Sequence, residues 1–398
     1  MLASLLAAGM PLGAQNLGSE YRLKRVIPVE GRQGVAADSN FYYVSGSTAL
    51  YKYDKQGRLA AKNERPFEGL PLAANHIGDI DVWDGEIYAG IETFDDGRGE
   101  NIQVAVYDAN TLKWKRSIDW EPSSGQVEVC GLAVDRDGDM VWMADWVDGR
   151  YVYGYNRKTG RYVRKVHLRP VPQWQQGIFM VGGRMLISAD DGDADLDEPD
   201  NLYVADLRDG KSYATVLPFR SMADFRRPGE IEGLAVDPAT DDLLVLANRG
   251  ARIVLGMPRG FYPGYDGEVH EVYVFEKDTE EIITLANQAK VDRRVEMFCD
   301  SAEPDRIKTW QKAGFRAYPV KKEPGSVKAQ IDWLKGRKIH IHPSCVNVLK
   351  EVQQWKWKKD PTTGLYIDEP VEFMDDAMAA LRYSVERLRR GSAIEVLK

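Results

Sequence analysis

The spacing of hydrophobic and polar positions changes near residue 277 of this 398-residue chain. Before that point, short runs of alternating apolar and polar residues are separated by glycine-rich turns, which is the pattern of half-buried β-strands. After it, stretches with helical spacing alternate with short apolar segments. We therefore predict two domains, an all-β domain over residues 20–276 and an α/β domain over residues 277–398.

The all-β domain contains a repeated unit. Each copy starts with a glycine, continues with alternating apolar residues and closes on an aromatic strand; the starts are Gly34, Gly78, Gly131, Gly177 and Gly233. They lie 44, 53, 46 and 56 residues apart, which is the length range of a four-stranded propeller blade. The repeat predicts a β-propeller with five blades, or six if one copy is degenerate.

The ends of this domain suggest how the ring closes. The strand-like segment Tyr21–Val29 would complete the sheet that ends at 272–275 and so remove an exposed strand edge. Residues 272–275 also fit the first strand of the second domain, so the junction falls within 266–280. The Gly-Leu-Ala-Val-Asp starts at 131 and 233 resemble the broad family of extracellular NHL-type and gluconolactonase-like propellers. That resemblance implies a fold and no particular reaction.

Polar residues recur at or just before the repeat starts, where the innermost strands of a propeller line its axis. The candidate axial residues are Gln33, His76, Glu128, Gln176 and Glu232. Oxygen and nitrogen groups arranged in a ring could hold Ca²⁺ or a small polar ligand. The alternative is a channel filled by polar side chains and water.

A second candidate calcium site is the acidic loop 190–200, in which carboxylates recur at short intervals. The EF-hand pattern fails there, because Leu196 and Leu202 occupy the sixth and twelfth positions counted from Asp191. A solvated acidic loop is the alternative interpretation.

The second domain alternates predicted helices and strands. The helices are predicted over 280–290, 307–313 and 326–334, and the strands over 295–299, 315–320 and 338–341. This alternation predicts a parallel or mixed sheet flanked by helices. Asp300 directly follows a predicted strand, and open α/β sheets place their chemistry at the carboxyl ends of strands.

Several motifs of the second domain follow one another in a specific order. They are Asp-Ser-Ala-Glu-Pro at 300–304, Tyr-Pro-Val-Lys-Lys at 318–322, Ile-His-Pro-Ser-Cys at 341–345, Trp-Lys-Trp at 355–357, Gly-Leu-Tyr-Ile-Asp-Glu-Pro at 364–370, and the segment from Asp375 to Tyr383. This order resembles the C-terminal nuclease domain of tailed-phage terminase large subunits. The resemblance covers roughly residues 278–388 and implies an incomplete RNase H-like fold that cuts concatemeric viral DNA.

The resemblance also implies a metal-binding acidic cluster. Hydrolysis of a phosphodiester by two ions, here Mg²⁺ or Mn²⁺, needs carboxylates that hold the ions about 4 Å apart. Asp300 matches the family's central metal-binding aspartate. The family usually has an acid where this chain has Ala379, so Asp376, or as second choice Asp375, would replace it. The implied catalytic residues are therefore Asp300, Asp376 and Asp375, with Asp300 and Asp376 as the metal ligands.

Other parts of the family's pattern are missing. Upstream of residue 278 the sequence has no Asp in the expected glycine-rich first-strand context, and no Gly-x-x-x-x-Gly-Lys-Ser/Thr motif of an ATPase occurs in the chain. We therefore expect the nuclease activity to be weak or absent.

Charge also separates the two domains. Residues 1–275 carry 30 Lys and Arg against 41 Asp and Glu, whereas residues 276–398 carry 23 against 20. Within 306–359 there are 14 basic residues and 3 acidic ones, which suits a surface that follows the phosphate backbone of DNA. The candidate DNA-binding residues are Lys321, Lys322, Lys328, Arg337 and Lys338. A solvated basic face is the alternative.

The N-terminal stretch 1–19 is rich in Leu and Ala and resembles the apolar part of a clipped signal peptide, although no Lys or Arg precedes its apolar core. A simple tail is the alternative. The first interpretation predicts export, and the terminase resemblance predicts a cytoplasmic protein. No apolar run is long enough to span a membrane.

Three hypotheses about function follow from these patterns. The first is a terminase-type nuclease domain fused to a propeller. The second is a secreted propeller that binds a metal or small polar ligand on its axis, with the C-terminal part a non-catalytic passenger. The third is a rearrangement that joined two unrelated genes.

Overall fold

The computed structural model describes residues 21–95, 98–225, 229–254, 257–277, 279–301, 304–323, 325–342, 346–359, 365–370 and 376–385. These residues form two compact units that divide between Glu276 and Lys277. The first unit is built of strands, and the second combines helices with short strands. No helix within the described ranges is long and apolar enough to cross a membrane.

Among its described residues, the first unit contains 22 strands whose positions follow the repeats. They are β1 (Tyr21–Val29), β2 (Gly34–Ala37), β3 (Phe41–Gly46), β4 (Ala49–Asp54), β5 (Leu59–Asn63), β6 (His76–Trp83), β7 (Glu86–Asp95), β8 (Arg98–Asp108), β9 (Trp114–Asp119), β10 (Gly131–Asp135), β11 (Met140–Ala144), β12 (Tyr151–Asn156), β13 (Tyr162–Arg169), β14 (Gln175–Val181), β15 (Arg184–Ala189), β16 (Asn201–Asp206), β17 (Tyr213–Ser221), β18 (Gly229–Val236), β19 (Leu243–Arg249), β20 (Ala251–Val254), β21 (Met257–Phe261) and β22 (Val269–Lys277).

The strands pair mostly within their own repeat. The first repeat forms the sheet β2-β3-β4-β5 and the second forms β6-β7-β8-β9. The third and fourth repeats join into one eight-stranded sheet, because their outer strands β13 and β17 pair in parallel. The last sheet has the order β1-β22-β19-β18. The prediction that residues 21–29 complete the sheet containing 272–275 is confirmed, and β22 belongs to the first unit.

A gradient of burial runs outward through each sheet. The first strands of the five repeats, β2, β6, β10, β14 and β18, contact one another in a closed circuit. Every residue of β2 and β14 is buried, whereas the outer strands β5 and β17 expose many of their residues. A strand enclosed on both faces needs small and apolar residues, and a strand with one solvent face alternates. This explains why each repeat starts with glycine and why an apolar run follows it in four of the five repeats.

Charged side chains fix the N-terminal strand in place. Arg22 Nη2 lies 2.6 Å from Glu276 Oε1, and Lys24 Nζ lies 3.0 Å from Asp242 Oδ2. Arg220 Nη1 donates a hydrogen bond of 2.6 Å to the carbonyl oxygen of Tyr21. The strand that closes the last sheet is therefore held to residues of the fourth and fifth repeats.

The second unit is built of short elements. They are α1 (Thr279–Gln288), β23 (Glu296–Cys299), α2 (Pro304–Lys312), β24 (Arg316–Pro319), α3 (Ser326–Lys335), α4 (Val346–Gln354), β25 (Trp357–Lys359), β26 (Tyr366–Pro370) and α5 (Asp376–Ser384). β23 and β24 pair in parallel, as predicted from the helix-strand alternation, and β25 pairs with β26 in antiparallel. Within the described ranges of this unit, each of these two sheets has two strands.

One predicted strand of the second unit is wrong. Residues 338–341 are irregular in the structure. α3 ends at Lys335, where the N–H of Gly336 donates to the carbonyl oxygen of Asp332 at 3.3 Å and the N–H of Arg337 donates to that of Leu334 at 3.0 Å. Ile339 is then 45% exposed. Alternation in so short a segment predicts a strand only if another strand lies beside it.

Candidate functional site

Irregular pairing brings polar residues to the axis of the first unit. The antiparallel register shifts near the repeat start in β6, β14 and β18, for example between Ile231 and Leu234. An extra residue in one strand of a pair re-aims the side chains next to it. Three of the polar residues predicted for the axis, His76, Gln176 and Glu232, flank or occupy these shifts.

Asp79 occupies the centre of the ring and was missed by the sequence analysis. Its side chain is fully buried and accepts hydrogen bonds from the N–H groups of Ile80 at 2.9 Å, Ile178 at 3.1 Å and Leu132 at 3.4 Å. It therefore links β6, β14 and β10. Burial raises the pKa of Asp79 well above its ordinary value, against the effect of these three donors.

A sequence signal for Asp79 existed. It follows the glycine that starts the second repeat, and the equivalent positions of the other four repeats are apolar: Val35, Leu132, Ile178 and Leu234. A single acid at a position that is otherwise apolar in every repeat indicates a special role, because an isolated buried carboxylate is unfavourable without donors.

Three of the predicted axial residues lie in one hydrogen-bonded group. His76 Nε2 lies 3.2 Å from Gln33 Oε1, and its Nδ1 lies 3.3 Å from Oε1 of Glu92, which the sequence analysis missed. Glu128 Oε2 accepts the N–H of Trp146 at 2.6 Å. Burial, followed by the negative charge of Glu92, raises the pKa of Glu128 well above its ordinary value. The side chains of Glu128 and Glu92 are therefore neighbours in this group.

The other two predicted residues join a second group. Gln176 Nε2 donates to Glu230 Oε1 at 2.9 Å, and Arg32 Nη2 lies 3.0 Å from Glu230 and 3.6 Å from Glu232. Asn248 Nδ2 donates to Glu232 Oε1 at 2.5 Å. Burial raises the pKa of Glu230 to about 7, and burial together with the charge of Glu230 raises the pKa of Glu232 well above its ordinary value.

Register explains two of the missed residues. Glu92 is the cross-strand partner of His76 in the β6-β7 pair, and Asn248 is the partner of Glu230 in the β18-β19 pair. Both lie on the second strand of their repeat, opposite a polar residue of the first strand. A search for polar residues at the carboxyl ends of the second strands would have found them.

The carboxylates of the acidic loop have protein partners. Asp191 accepts hydrogen bonds from Tyr203 and from Asn201. Asp195 forms an ion pair with Arg252 at 2.7 Å. Among the residues that the structure describes, no group of three or more His, Cys, Asp and Glu side chains is arranged to hold a metal ion. The Ca²⁺ sites in the loop and on the axis stay predictions.

In the second unit, Asp300 follows the carboxyl end of β23 and Lys322 follows the neighbouring strand β24. Because the two strands are parallel, their carboxyl ends meet at one edge, and Lys322 Nζ lies 2.6 Å from Asp300 Oδ1. The hydroxyl of Tyr383, in α5, donates to Asp300 Oδ2 at 3.3 Å. The hydrogen bond to Asp300 raises the pKa of Lys322. Three of the motif segments thus meet at one carboxylate.

The other predicted acids cannot be placed beside Asp300. Asp375 lies outside the described residues, and α5 begins at Asp376, whose side chain is also outside the described part. The first turn of α5 is held by Glu351 of α4, whose Oε2 accepts the N–H groups of Ala377 at 2.8 Å and Met378 at 3.1 Å. A carboxylate in this position satisfies free N–H groups at a helix start.

All five predicted DNA-binding residues are exposed. Lys321 and Lys322 directly follow β24, Lys328 lies on α3, and Arg337 and Lys338 follow that helix. Lys322 is bound to Asp300, as described above. Arg337 lies with Cζ 3.2 Å from the centre of the Trp333 ring and donates to the Trp333 carbonyl at 2.7 Å. Four of the five therefore present charge at a surface without occupying the Asp300 site.

Comparison with known proteins places a family on the C-terminal part of the chain. A family model described as the terminase RNAseH like domain matches residues 267–387. The matched segment begins before β22, so its first strand is one that pairs within the first unit. Over these residues the chain resembles the terminase RNase H-like nuclease domain, as the ordered motifs predicted.

Comparisons with solved structures and with curated proteins do not assign a family to the first unit. The solved structure described as "Structure of U3-55K" aligns with 63% of this chain and 98% of that chain, at 10% sequence identity and a TM-score of 0.39. No curated protein matches the chain. The resemblance of the first unit to NHL-type and gluconolactonase-like propellers stays a prediction.

Proposed function

We propose that the second unit is a terminase-type RNase H-like domain that binds DNA of a phage packaging system and cleaves it weakly or not at all. The observation that carries the proposal is the meeting of Asp300, Lys322 and Tyr383 at the carboxyl edge of the parallel pair, within the segment that matches the family. This edge is where α/β sheets place their reactive groups.

The proposal that cleavage is weak rests on the side chains that surround Asp300, which include Lys322 and Tyr383. Two-metal hydrolysis needs several carboxylates around each ion, and the described residues hold no group of three that fits a metal. Lys322 Nζ lies 2.6 Å from Asp300 Oδ1, so its positive charge would compete with a metal ion for this carboxylate. The strand β22 at the start of the family match pairs with β19 and β1 of the first unit. The other acids that the resemblance implies, Asp375 and the side chain of Asp376, lie outside the described residues, so the Mg²⁺ or Mn²⁺ site stays a prediction.

Cleavage of supercoiled plasmid by the purified chain in Mn²⁺ or Mg²⁺ tests this proposal. We expect nicking that is at most slow, and Asp300→Ala should reduce any divalent-dependent cleavage at least tenfold, because Asp300 is the family's central acid. The matched control is Asp332→Ala, which removes an exposed acid from α3 of the same unit. Fast cleavage, or cleavage that Asp300→Ala leaves unchanged, would contradict the proposal.

DNA binding is predicted to depend on the basic residues and on salt. In a fluorescence anisotropy titration with a short duplex, Lys321→Glu combined with Lys338→Glu should weaken binding about tenfold or more. The plot of the logarithm of the association constant against the logarithm of the salt concentration should become less steep by roughly two units. Each phosphate contact contributes about one unit to that slope. Lys113→Glu, an exposed lysine of the first unit, should change neither quantity. Equal effects of the two charge changes would argue against a DNA surface on the second unit.

We further propose that the first unit is a five-bladed β-propeller fused to this domain. The support is the closed circuit of five first strands and the sheet that joins β1 to β22. The parallel β13-β17 pairing then joins the outer edges of two neighbouring blades. The axial carboxylates and Arg32 form the interior of this ring, and a ligand there would have to replace their mutual hydrogen bonds.

A further inference from the structure

The second unit contains a cavity of about 420 Å³ whose lining does not include Asp300. Residues of α3, α4, β25, β26, α5 and the segments between them line it. Its volume lies in the range of about 300–1,000 Å³ that is typical of ligand sites. The floor is apolar, since Ile331, Leu334 and Met378 are buried there. Such a space can take a flat organic ring.

Two tryptophans form part of its wall. Trp355 and Trp357 both line the cavity and are both half-buried. Both indole rings therefore give the wall an aromatic surface against which a flat ring can pack.

The rim of the cavity is basic. Lys335, Arg337 and Lys356 line it, and the described lining residues include no Asp or Glu. Lys335 Nζ lies 4.9 Å from the centre of the Trp357 ring, so a cation is held directly beside an aromatic face. Ile339 and Val352 at the lip are 45% and 43% exposed. The positive charge of this rim, next to the apolar floor, is complementary to a ligand in which an anionic group is attached to an apolar one.

We propose that this cavity takes an unstacked base of single-stranded DNA, with the flanking phosphates against the basic rim. This inference rests on the proposed DNA-binding function. Aromatic side chains beside basic ones are the usual means of binding single strands, since every base has a face that can stack. Bases of a duplex are stacked and paired and cannot enter a recessed cavity without being flipped out. An acidic peptide would use the rim but not the flat aromatic wall.

The test compares three labelled probes by fluorescence anisotropy in the full-length chain. They are an oligothymidylate, an abasic oligonucleotide of the same length, which keeps the phosphates, and a duplex. The parent should bind oligothymidylate about tenfold more tightly than the abasic strand. Trp357→Ala should remove that difference and change duplex affinity less than twofold. Trp355→Ala, which removes the other ring of the wall, should also reduce the preference.

The control variant is Tyr318→Ala, which removes an exposed aromatic residue of β24 that does not line the cavity; it should leave the base preference intact. Equal binding of the oligothymidylate and the abasic strand by the parent would overturn the cavity inference while leaving DNA binding in place. Binding of none of the three probes would overturn the proposed function itself. Tight binding of an acidic leucine-rich peptide that Trp357→Ala abolishes, without a base preference, would assign the cavity to a protein partner instead.

Discussion

Gly233→Ala is expected to lower the melting temperature of the first unit by roughly 10 °C. A Cβ added to Gly233 would lie 2.6 Å from Cα of Gly34 and would also overlap Oδ1 of Asp79. Overpacking a tight core costs about 1–3 kcal/mol, and here the neighbours are backbone atoms and a fixed carboxylate. For a unit of this size, each kcal/mol shifts the melting temperature by about 2–4 °C. We therefore expect a destabilisation near the upper end of 1–3 kcal/mol, which corresponds to a decrease in melting temperature of roughly 10 °C.

Scanning calorimetry of the full chain would measure this loss, and hydrogen exchange in β2 and β18 would show which unit has been destabilised. The matched control is Gly267→Ala, because a Cβ at Gly267 meets no atom within 4 Å. That control should change the melting temperature by no more than about 2 °C, the size of a typical surface effect. If Gly233→Ala were as mild as Gly267→Ala, the first strands would not pack as closely at the axis as the structure has them.

The same glycines show what the sequence could reveal about the fold. Glycine at each repeat start, followed by apolar residues, predicts strands that lie too close together for side chains, and the structure places Gly34, Gly177 and Gly233 around Asp79. The closing strand Tyr21–Val29 was also predictable, because an amphipathic strand with no partner in its own repeat needs an edge to pair with. The hydrophobic pattern of each repeat and the need to close the ring of sheets favour the same strands, so the strands of the first unit are predictable from the sequence.

Other features depend on long-range contacts that no local pattern encodes. Residues 272–275 fit two different sheets equally well by pattern, and only pairing with β19 and β1 decides between them. The segment 338–341 alternates like a strand but has no neighbour to pair with among the described residues. Lys322 could be predicted as a basic surface residue, but its ion pair with Asp300 follows from the parallel pairing of two strands.

The candidate axial residues were predictable as a set, but their partners were not. Gln33, Gln176 and Glu232 each directly precede the starting glycine of their repeat, so a common location follows from the repeat. The pairing of Glu128 with Glu92, and of Glu232 with Asn248, requires the cross-strand register and the bulges that shift it. Repeats therefore predict where a site is, and register decides what its side chains contact.

The stability of the first unit is expected to fall as the pH rises from about 5 to about 8. Burial raises the pKa of Glu230 from 4.5 to about 7 and that of Asp145 from 3.8 to about 6. Between these values the folded state keeps protons that the unfolded chain has lost, so the free energy of unfolding decreases with rising pH. Each unit of pKa shift corresponds to about 1.4 kcal/mol, which gives a loss on the order of 3 kcal/mol for Glu230.

The contribution of Glu230 to this loss should level off above pH 8, because Glu230 is then ionised in both states. The charged groups that face it act in opposite directions: Arg32 favours the carboxylate, whereas Glu268, Asp200, Glu232 and Asp190 disfavour it. Below pH 4 the stability should fall again as the pH decreases. Hydrogen bonds from Arg208 hold the pKa of Asp206 at about 2, and protonation of Asp206 removes this stabilising interaction. Stability should therefore be greatest near pH 5.

The substitution Glu230→Gln isolates the contribution of Glu230 to the pH dependence of stability. Glutamine keeps the shape of the protonated carboxyl and its contact with Gln176 but cannot lose a proton, so the difference in unfolding free energy between pH 5 and pH 8 should shrink by roughly 2–3 kcal/mol. Denaturant titrations of the parent and the variant at pH 5, 6, 7 and 8 measure it. Glu68→Gln, at an exposed position, should leave the pH dependence of the parent unchanged. Parallel curves for Glu230→Gln and the parent would mean that Arg32 keeps Glu230 ionised throughout, and that the proton of the axial network resides on Glu232 or on Asp190 instead.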